Sequence, residues 1–400
     1  MKYLVFLADG MADEPIPELG GKTPLEVANT PSLNFLARNG AQGTLITIPN
    51  PFPTSSDAAN LSVLGYDLEK DYCGRGPIEA ASRGIQLKED EIAFRCNLIT
   101  INGDILEDYS AGQITQDSAE ELIDLLNKEL GNEKIKFYSG VSYRNLLILK
   151  GKEFSDKIGY YKPDSNQGKK WKELLPYPGT EEGKETADLL RDLIEKSIKI
   201  LKEAPTNLTL IKNRNKPANC IWPWSPGRKP HFEPFEKKYQ KKGAVISAVD
   251  VILGIGKLTN MEVIKPEGAT GFIDTNYENK VKATLSALDR NDFVYLHFEA
   301  IDECSHMGDL NLKIKTIEEF DKRLVKPIIE KINKNVTVAV LSDHPVPVKL
   351  KKHTRTPVPF LISGETVPKD GNTKFTERTA LKGKFGRLEK YTFLKTLFKY

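Results

Sequence analysis

The sequence predicts an α/β protein, a mostly parallel sheet with helices on both faces, interrupted by an inserted α+β domain. Two observations carry the sheet. Short, continuous apolar runs at residues 3–8, 293–298 and 336–341 suit strands buried on both faces. Helical patterns alternate with such runs near both ends of the chain, the signature of parallel β-α units. A third observation carries the insertion. From about residue 89 the texture changes, and a polar, Pro- and Gly-rich stretch at 157–183 reads as a long surface loop. Residues 1–94 and 236–400 are therefore expected to form the core, and 95–235 the inserted domain.

The elements follow in order. The strand at 3–8 leads directly into Asp9-Gly10, at the end where open α/β sheets place their ligands. Pro31 opens a helix that Gly40 closes, and a strand follows at 43–48. Pro49, Pro51 and Pro53 then keep the chain extended up to Thr54-Ser55-Ser56-Asp57. From Ser56 the pattern is helical, with Ala58, Leu61 and Leu64 on one face and Gly65 as the stop. Ser56 thus falls at a helix N-terminus, where free N–H groups and the helix dipole favour an anion. Two roles fit it there: an N-cap, or a nucleophile stabilised by the helix end and a metal.

Gly74-Arg75-Gly76-Pro77 reads as a tight turn into a helix. Strands are expected at 92–101 and 145–149, and helices at 118–130 and 185–203. The aromatic-proline segment at 220–229, containing Trp222-Pro223-Trp224, reads as a rigid hinge or a pocket wall. Alternation then resumes, with strands at 244–248, 261–264, 293–298 and 336–341 and helices at 249–255, 277–289 and 310–332.

Composition narrows the function. The 400 residues suffice for two domains, and an apolar fraction of 39% is ample for a buried core. A net charge of +3 with no long basic block argues against nucleic acid as a partner, and the short lysine runs read as solvated faces. Cys73, Cys96, Cys220 and Cys304 show no paired spacing and read as free thiols in a reducing compartment. The N-terminal apolar run is too short for a signal peptide, and no window approaches the roughly 20 apolar residues that span a bilayer. A cytoplasmic protein without a membrane partner is expected.

The chemistry lies in polar clusters that follow the strands. After the strand at 293–298, Asp302 and His306 stand four apart, on one face of a helical turn. Asp343-His344 follows the strand at 336–341, and His353 lies in the next loop. Of only five histidines, three fall in these loops, while His297 sits inside a strand and reads as a packed core residue and His231 has no evident place. Strand ends of a parallel sheet share one edge, so these residues and Asp9 can converge on a metal. Mixed carboxylate and imidazole ligands suit Mn²⁺ or Zn²⁺, with Mg²⁺ as a further choice. Cys304 lies between two of them but would point away.

Together, Asp9-Gly10-Met11-Ala12-Asp13, Ser56-Asp57-Ala58-Ala59-Asn60, Gly74 to Ala80, Asp302 to His306, Asp343-His344 and His353-Thr354 resemble the cofactor-independent phosphoglycerate mutases of the archaeal type, in the alkaline phosphatase superfamily. The resemblance covers nearly the whole chain. It implies an alkaline-phosphatase-like sheet and two divalent metals, Mn²⁺ foremost. Asp302, His306 and His353 would hold one, and Asp9, Ser56, Asp343 and His344 the other. It also implies a phosphoserine intermediate at Ser56 while 3-phosphoglycerate and 2-phosphoglycerate interconvert, with the inserted domain holding the glycerate. Asn60 could hydrogen-bond the phosphate. Arg75, Arg95, Arg144 and Arg228 offer forks for phosphate or carboxylate, and Lys238, in a loose match to a Glu-Lys-Tyr element, offers a point charge.

This sequence departs from the family pattern in the inserted region. Gln113 stands where the family often has His or Arg, no His lies near Lys162-Pro163-Asp164, and the Trp222-Pro223-Trp224 segment resembles a bacterial branch proposed as homoserine kinases. A homoserine kinase-like phosphotransferase and a metal-dependent phosphatase are therefore the alternatives, both using the same serine. No Walker-type phosphate loop is present to support the first.

Overall fold

The computed structural model describes all residues, Met1–Tyr400, in two compact units. The first combines Met1–Tyr72 with Phe232–Tyr400, and the second is Cys73–His231. The second unit begins ahead of position 95 because the Glu91–Asn102 strand is continuous and the Arg75–Ser82 helix packs on it. At Gly76 that helix approaches so closely that a Cβ would lie 2.2 Å from the Ala93 carbonyl oxygen.

The first unit is built on an eight-stranded sheet. Its order is Glu262–Ile264, Gly243–Ile246, Phe293–Phe298, Lys2–Ala8, Val336–Leu341, Val358–Ser363, Gly40–Leu45 and Gly386–Leu388. The first five are mutually parallel, whereas Val358–Ser363 runs antiparallel to both neighbours. Register fixes the functional edge. Ala8 pairs with Phe298 and Leu7 with Leu341, so the polar residues that follow each strand emerge side by side. Aliphatic and aromatic side chains of these strands form one buried core with the flanking helices. No helix is long and apolar enough to cross a membrane.

The helix expected over 310–332 is broken. Leu310–Phe320 passes into a π-helical turn at Asp321–Val325 and then into Lys326–Ile329, where Pro327 supplies no backbone donor. The turn gives Asp321 a task, since its carboxylate accepts the Ser32 and Leu33 N–H groups (3.1 and 2.7 Å) at the start of the Pro31–Arg38 helix.

The second unit holds an antiparallel sheet in which Glu91–Asn102 pairs with Ile105–Asp108, Arg144–Lys150 and Cys220–Arg228. The segment expected as a hinge or pocket wall is therefore a strand. It pairs on one side only, an edge position where Pro223 and Pro226 need no second partner. Within the expected loop at 157–183, Ile158–Gly159 and Tyr177–Pro178 form a small ladder.

Candidate metal centre and nucleophile

Ser55 is the N-cap of the Ser56–Val63 helix, with extended backbone and no side-chain cap bond, and Ser56 is the first helical residue. Its hydroxyl therefore does not cap the helix. It is buried, with Oγ 3.2 Å from His344 Nε2.

Two groups of side chains meet at the sheet edge. In the first, Asp302 Oδ2 lies 3.4 Å from His306 Nε2 and Asp302 Oδ1 lies 3.6 Å from His353 Nε2. The two imidazole Nε2 atoms are 2.8 Å apart. The Ala300–Met307 helix places Asp302 and His306 on one face, as their spacing predicts. In the second, His344 Nε2 lies 3.2 Å from Asp343 Oδ2, 3.5 Å from Asp9 Oδ1 and 3.2 Å from Ser56 Oγ. The groups adjoin, because the His344 and His353 rings stack with centroids 3.8 Å apart. All seven residues expected from the resemblance are thus in one place.

The donor set fits a cation. His306 Nδ1 lies 2.9 Å from the Lys351 carbonyl oxygen, which only accepts, so Nδ1 carries the hydrogen. Nε2, the other ring nitrogen, faces Asp302 and His353. Asp9 Oδ1 and Asp302 Oδ1 are buried without a hydrogen-bond partner. Burial pushes both carboxyl groups well above the usual carboxylate range. Asp343, Glu299 and Asp302 add to the rise at Asp9, and Glu299 and Glu303 add to it at Asp302. Crowded buried carboxylates of this kind are relieved by a metal ion.

Three residues to which sequence reading gave no part in the centre support it. His297 lies against Asp9 (Nε2 to Oδ2, 3.0 Å) and Ser247 (Nδ1 to Oγ, 3.2 Å), so it is more than core packing. Tyr295 donates to Asn60 Oδ1 (2.6 Å). Lys280 is buried above the Phe298 ring, 5.4 Å from its centroid, and burial pulls its amine down to about 8. The only sequence signal for these was the presence of polar groups inside otherwise apolar strands and a helix face.

Asn60 differs from its expected use. Its amide nitrogen donates to the Ser56 carbonyl (2.8 Å) and to Asp343 Oδ2 (3.0 Å), which occupies both hydrogens that a phosphate would need. The other expected substrate residues divide between the units. In the second, Arg75 Nε and Arg95 Nη1 both donate to Glu79 Oε1, at 2.7 and 2.8 Å. Burial works to raise Glu79, but Arg95, Arg75 and the more distant Arg144 outweigh it and hold the carboxyl below its ordinary range. Arg95 also lies over the Trp224 ring, 5.1 Å from its centroid. These three arginines make a cationic cluster with one buried counter-charge. Arg228 is not part of it, since its guanidinium serves the Phe154 carbonyl and Asp156. Lys238, in the first unit, lies over the Tyr66 and Tyr239 rings, 5.1 and 5.7 Å from their centroids.

A mostly parallel sheet that gathers carboxylates and imidazoles beside a buried serine defines a class of α/β proteins with a candidate metal site at the sheet edge. Comparison with known proteins narrows the class. Residues 37–207 match the family model described as 2,3-bisphosphoglycerate-independent phosphoglycerate mutase. A protein of that name from Methanosarcina barkeri is 46% identical over 394 residues, covering 96% of each chain. A probable mutase of the same name from Geobacter sulfurreducens is 44% identical, covering 95% of each. Among solved structures, a cofactor-independent phosphoglycerate mutase from Thermoplasma acidophilum superposes with a TM-score of 0.66 at 27% identity, covering 100% of this chain and 99% of that one. A Pyrococcus horikoshii protein superposes with a TM-score of 0.84 at 29% identity, covering 100% and 96%. The chain belongs to the 2,3-bisphosphoglycerate-independent phosphoglycerate mutases, a family of enzymes.

Proposed function

We propose that this chain interconverts 3-phosphoglycerate and 2-phosphoglycerate through a phosphoester on Ser56. The observation that carries the reading is Ser56 Oγ, buried 3.2 Å from His344 Nε2 at the first residue of a helix and beside the carboxylate–imidazole groups. Ser56 Oγ attacks phosphorus, its proton leaves, and the P–O bond to the glycerate breaks, so the departing oxygen takes up a proton. The other glycerate hydroxyl then attacks phospho-Ser56 and loses its proton, the P–Oγ bond breaks, and Ser56 Oγ takes a proton back. The helix N-terminus offers unpaired N–H groups to the phosphoryl oxygens.

Asp302, His306 and His353 would hold one divalent cation, and Asp9, Ser56, Asp343 and His344 a second. Bound there, Mn²⁺ foremost or Mg²⁺ or Zn²⁺, they would favour the serine alkoxide and neutralise phosphoryl charge. Arg75, Arg95 and Arg144 are the second unit's candidates to hold glycerate anions, with Lys238 a further cation. Arg228 stands apart from this arginine cluster, its guanidinium turned to the Phe154 carbonyl and Asp156.

The test is purified protein with Mn²⁺ and 3-phosphoglycerate, assayed for 2-phosphoglycerate and free phosphate. Isomer without phosphate supports the mutase, and phosphate alone supports transfer to water. Ser56→Ala is expected to abolish turnover with metal content retained, and turnover surviving in that variant rejects the covalent route.

A further inference from the structure

Asn60 makes three hydrogen bonds, and together they fix which way its amide faces. Nδ2 donates to the Ser56 carbonyl (2.8 Å) and to Asp343 Oδ2 (3.0 Å), and Oδ1 accepts from the Tyr295 hydroxyl (2.6 Å). A flipped amide would set its oxygen against two acceptors, so only one orientation satisfies the group. Asn60 and Tyr295 are both fully buried. One side chain therefore ties the first turn of the Ser56 helix to a carboxylate just past the end of the Val336–Leu341 strand, and a hydroxyl from the Phe293–Phe298 strand holds that side chain still.

We propose that Asn60 and Tyr295 are positioning residues. They hold Asp343 Oδ2 and the Ser56 backbone at a fixed separation, so that the nucleophile and the Asp9–Asp343–His344 group are assembled before any ligand arrives. This rests on the two-metal reading above. Asp343 has two oxygens with different duties. Oδ1 accepts the backbone N–H of His344 (2.8 Å) and, more weakly, that of Gly10 (3.4 Å). Oδ2 is the atom 3.2 Å from His344 Nε2, the side that faces the cluster, and Asn60 is its donor. Without that donor only the backbone bonds to Oδ1 hold the carboxylate, and Oδ2 can swing away from the position it presents to the cluster. Without Tyr295, Asn60 keeps both donor bonds, which still fix its orientation, but Oδ1 loses the partner that holds the side chain in place. The loss should therefore be smaller for Tyr295 than for Asn60, and the two should not add.

The experiment titrates metal-free full-length protein with Mn²⁺ alone, following bound ion by calorimetry and by the spin-resonance signal of the free ion. Asn60→Ala is expected to weaken one of two Mn²⁺ equivalents about ten-fold and leave the other unchanged. Tyr295→Phe should weaken the same equivalent by about three-fold, and the double variant should be no weaker than Asn60→Ala. Turnover should show a lower kcat with KM for 3-phosphoglycerate held. Circular dichroism melts identify a variant that has failed to fold, in which case Asn60→Ser takes its place. Tyr295→Phe binding both equivalents as the wild type does, or losses that add in the double variant, overturn the proposal. Should the wild type bind no Mn²⁺ at all, the two-metal reading falls with it.

Discussion

His297 donates a hydrogen bond to Asp9, Nε2 to Oδ2 at 3.0 Å. An ionised Asp9 can only accept, and Ser247 can supply the matching donor on the other side of the ring. Its Oγ accepts the Val249 N–H at 3.0 Å, which leaves the hydroxyl hydrogen for His297 Nδ1 at 3.2 Å. The imidazole proton is then on Nε2, facing the carboxylate. Burial pulls His297 down to about 3, so the ring itself stays neutral above that value. His297→Phe would leave Asp9 Oδ2 without this donor. Mn²⁺ affinity of the metal-free protein is expected to drop about 10- to 100-fold. Calorimetry on the folded variant checks it, and unchanged affinity would mean that His297 only fills space.

Gly10 faces Asp302 from the preceding strand's end. Its φ is +65°, and a Cβ there would lie 2.7 Å from Asp302 Cα. Gly20 has the same backbone angle, +66°, with nothing within 4 Å. The pair separates strain from collision. Gly20→Ala should cost only the left-handed penalty, about 1–2 kcal/mol. Gly10→Ala adds displacement of Asp302, so a larger fall in melting temperature and loss of Mn²⁺ binding are expected together. Equal melting shifts in the two variants would show that Asp302 gives way without cost.

The core of the fold was legible because a parallel sheet writes itself as uninterrupted apolar runs. Asp9, Asp302 and Asp343 were legible for the same reason, since each breaks the pattern just beyond a strand. His297 and Tyr295 were not, because they lie inside the Phe293–Phe298 run and their meaning depends on register. Only when Phe298 is paired with Ala8 does His297 come beside Asp9. Strand Val358–Ser363 went unread, and the Cys220–Arg228 strand was masked by two prolines that an edge position tolerates. The use of the Asn60 amide was likewise invisible, since both its strand partners are distant in sequence. Site geometry here is a product of strand order, which local patterns do not encode.

Glu79 is the sole carboxylate joined to both Arg75 and Arg95, and Arg95 is only 5% exposed. Glu79→Gln leaves that guanidinium buried without its counter-charge, a loss on the order of 3–5 kcal/mol. Because the carboxyl is held below its ordinary 4.5, its contribution is present above that value and fades as pH falls through the lower folded value. Hydrogen exchange should show Cys73–His231 loosening in the variant at pH 7, with the gap to wild type closing in acid. A gap that persists unchanged in acid would show that the ion pair is not its source.

Glu377 works in the opposite sense. It is half-buried, accepting the Thr23 hydroxyl at 2.6 Å and the Asp13 N–H at 3.2 Å, and desolvation pushes its carboxyl from 4.5 up to about 7. Between those values the folded chain keeps a proton that the unfolded chain releases, so stability falls as pH rises through the window. The full cost above pH 7 is at most roughly 3 kcal/mol. Glu377→Gln keeps the shape and one acceptor but cannot ionise. Urea midpoints at pH 5 and pH 8 should therefore show the variant gaining on the wild type at the higher pH. If the difference between the two proteins is the same at both values, Glu377 ionises in the folded state as freely as in the unfolded chain, and a cation near its carboxylate, Lys313 being the one that lowers it, is stronger than burial there.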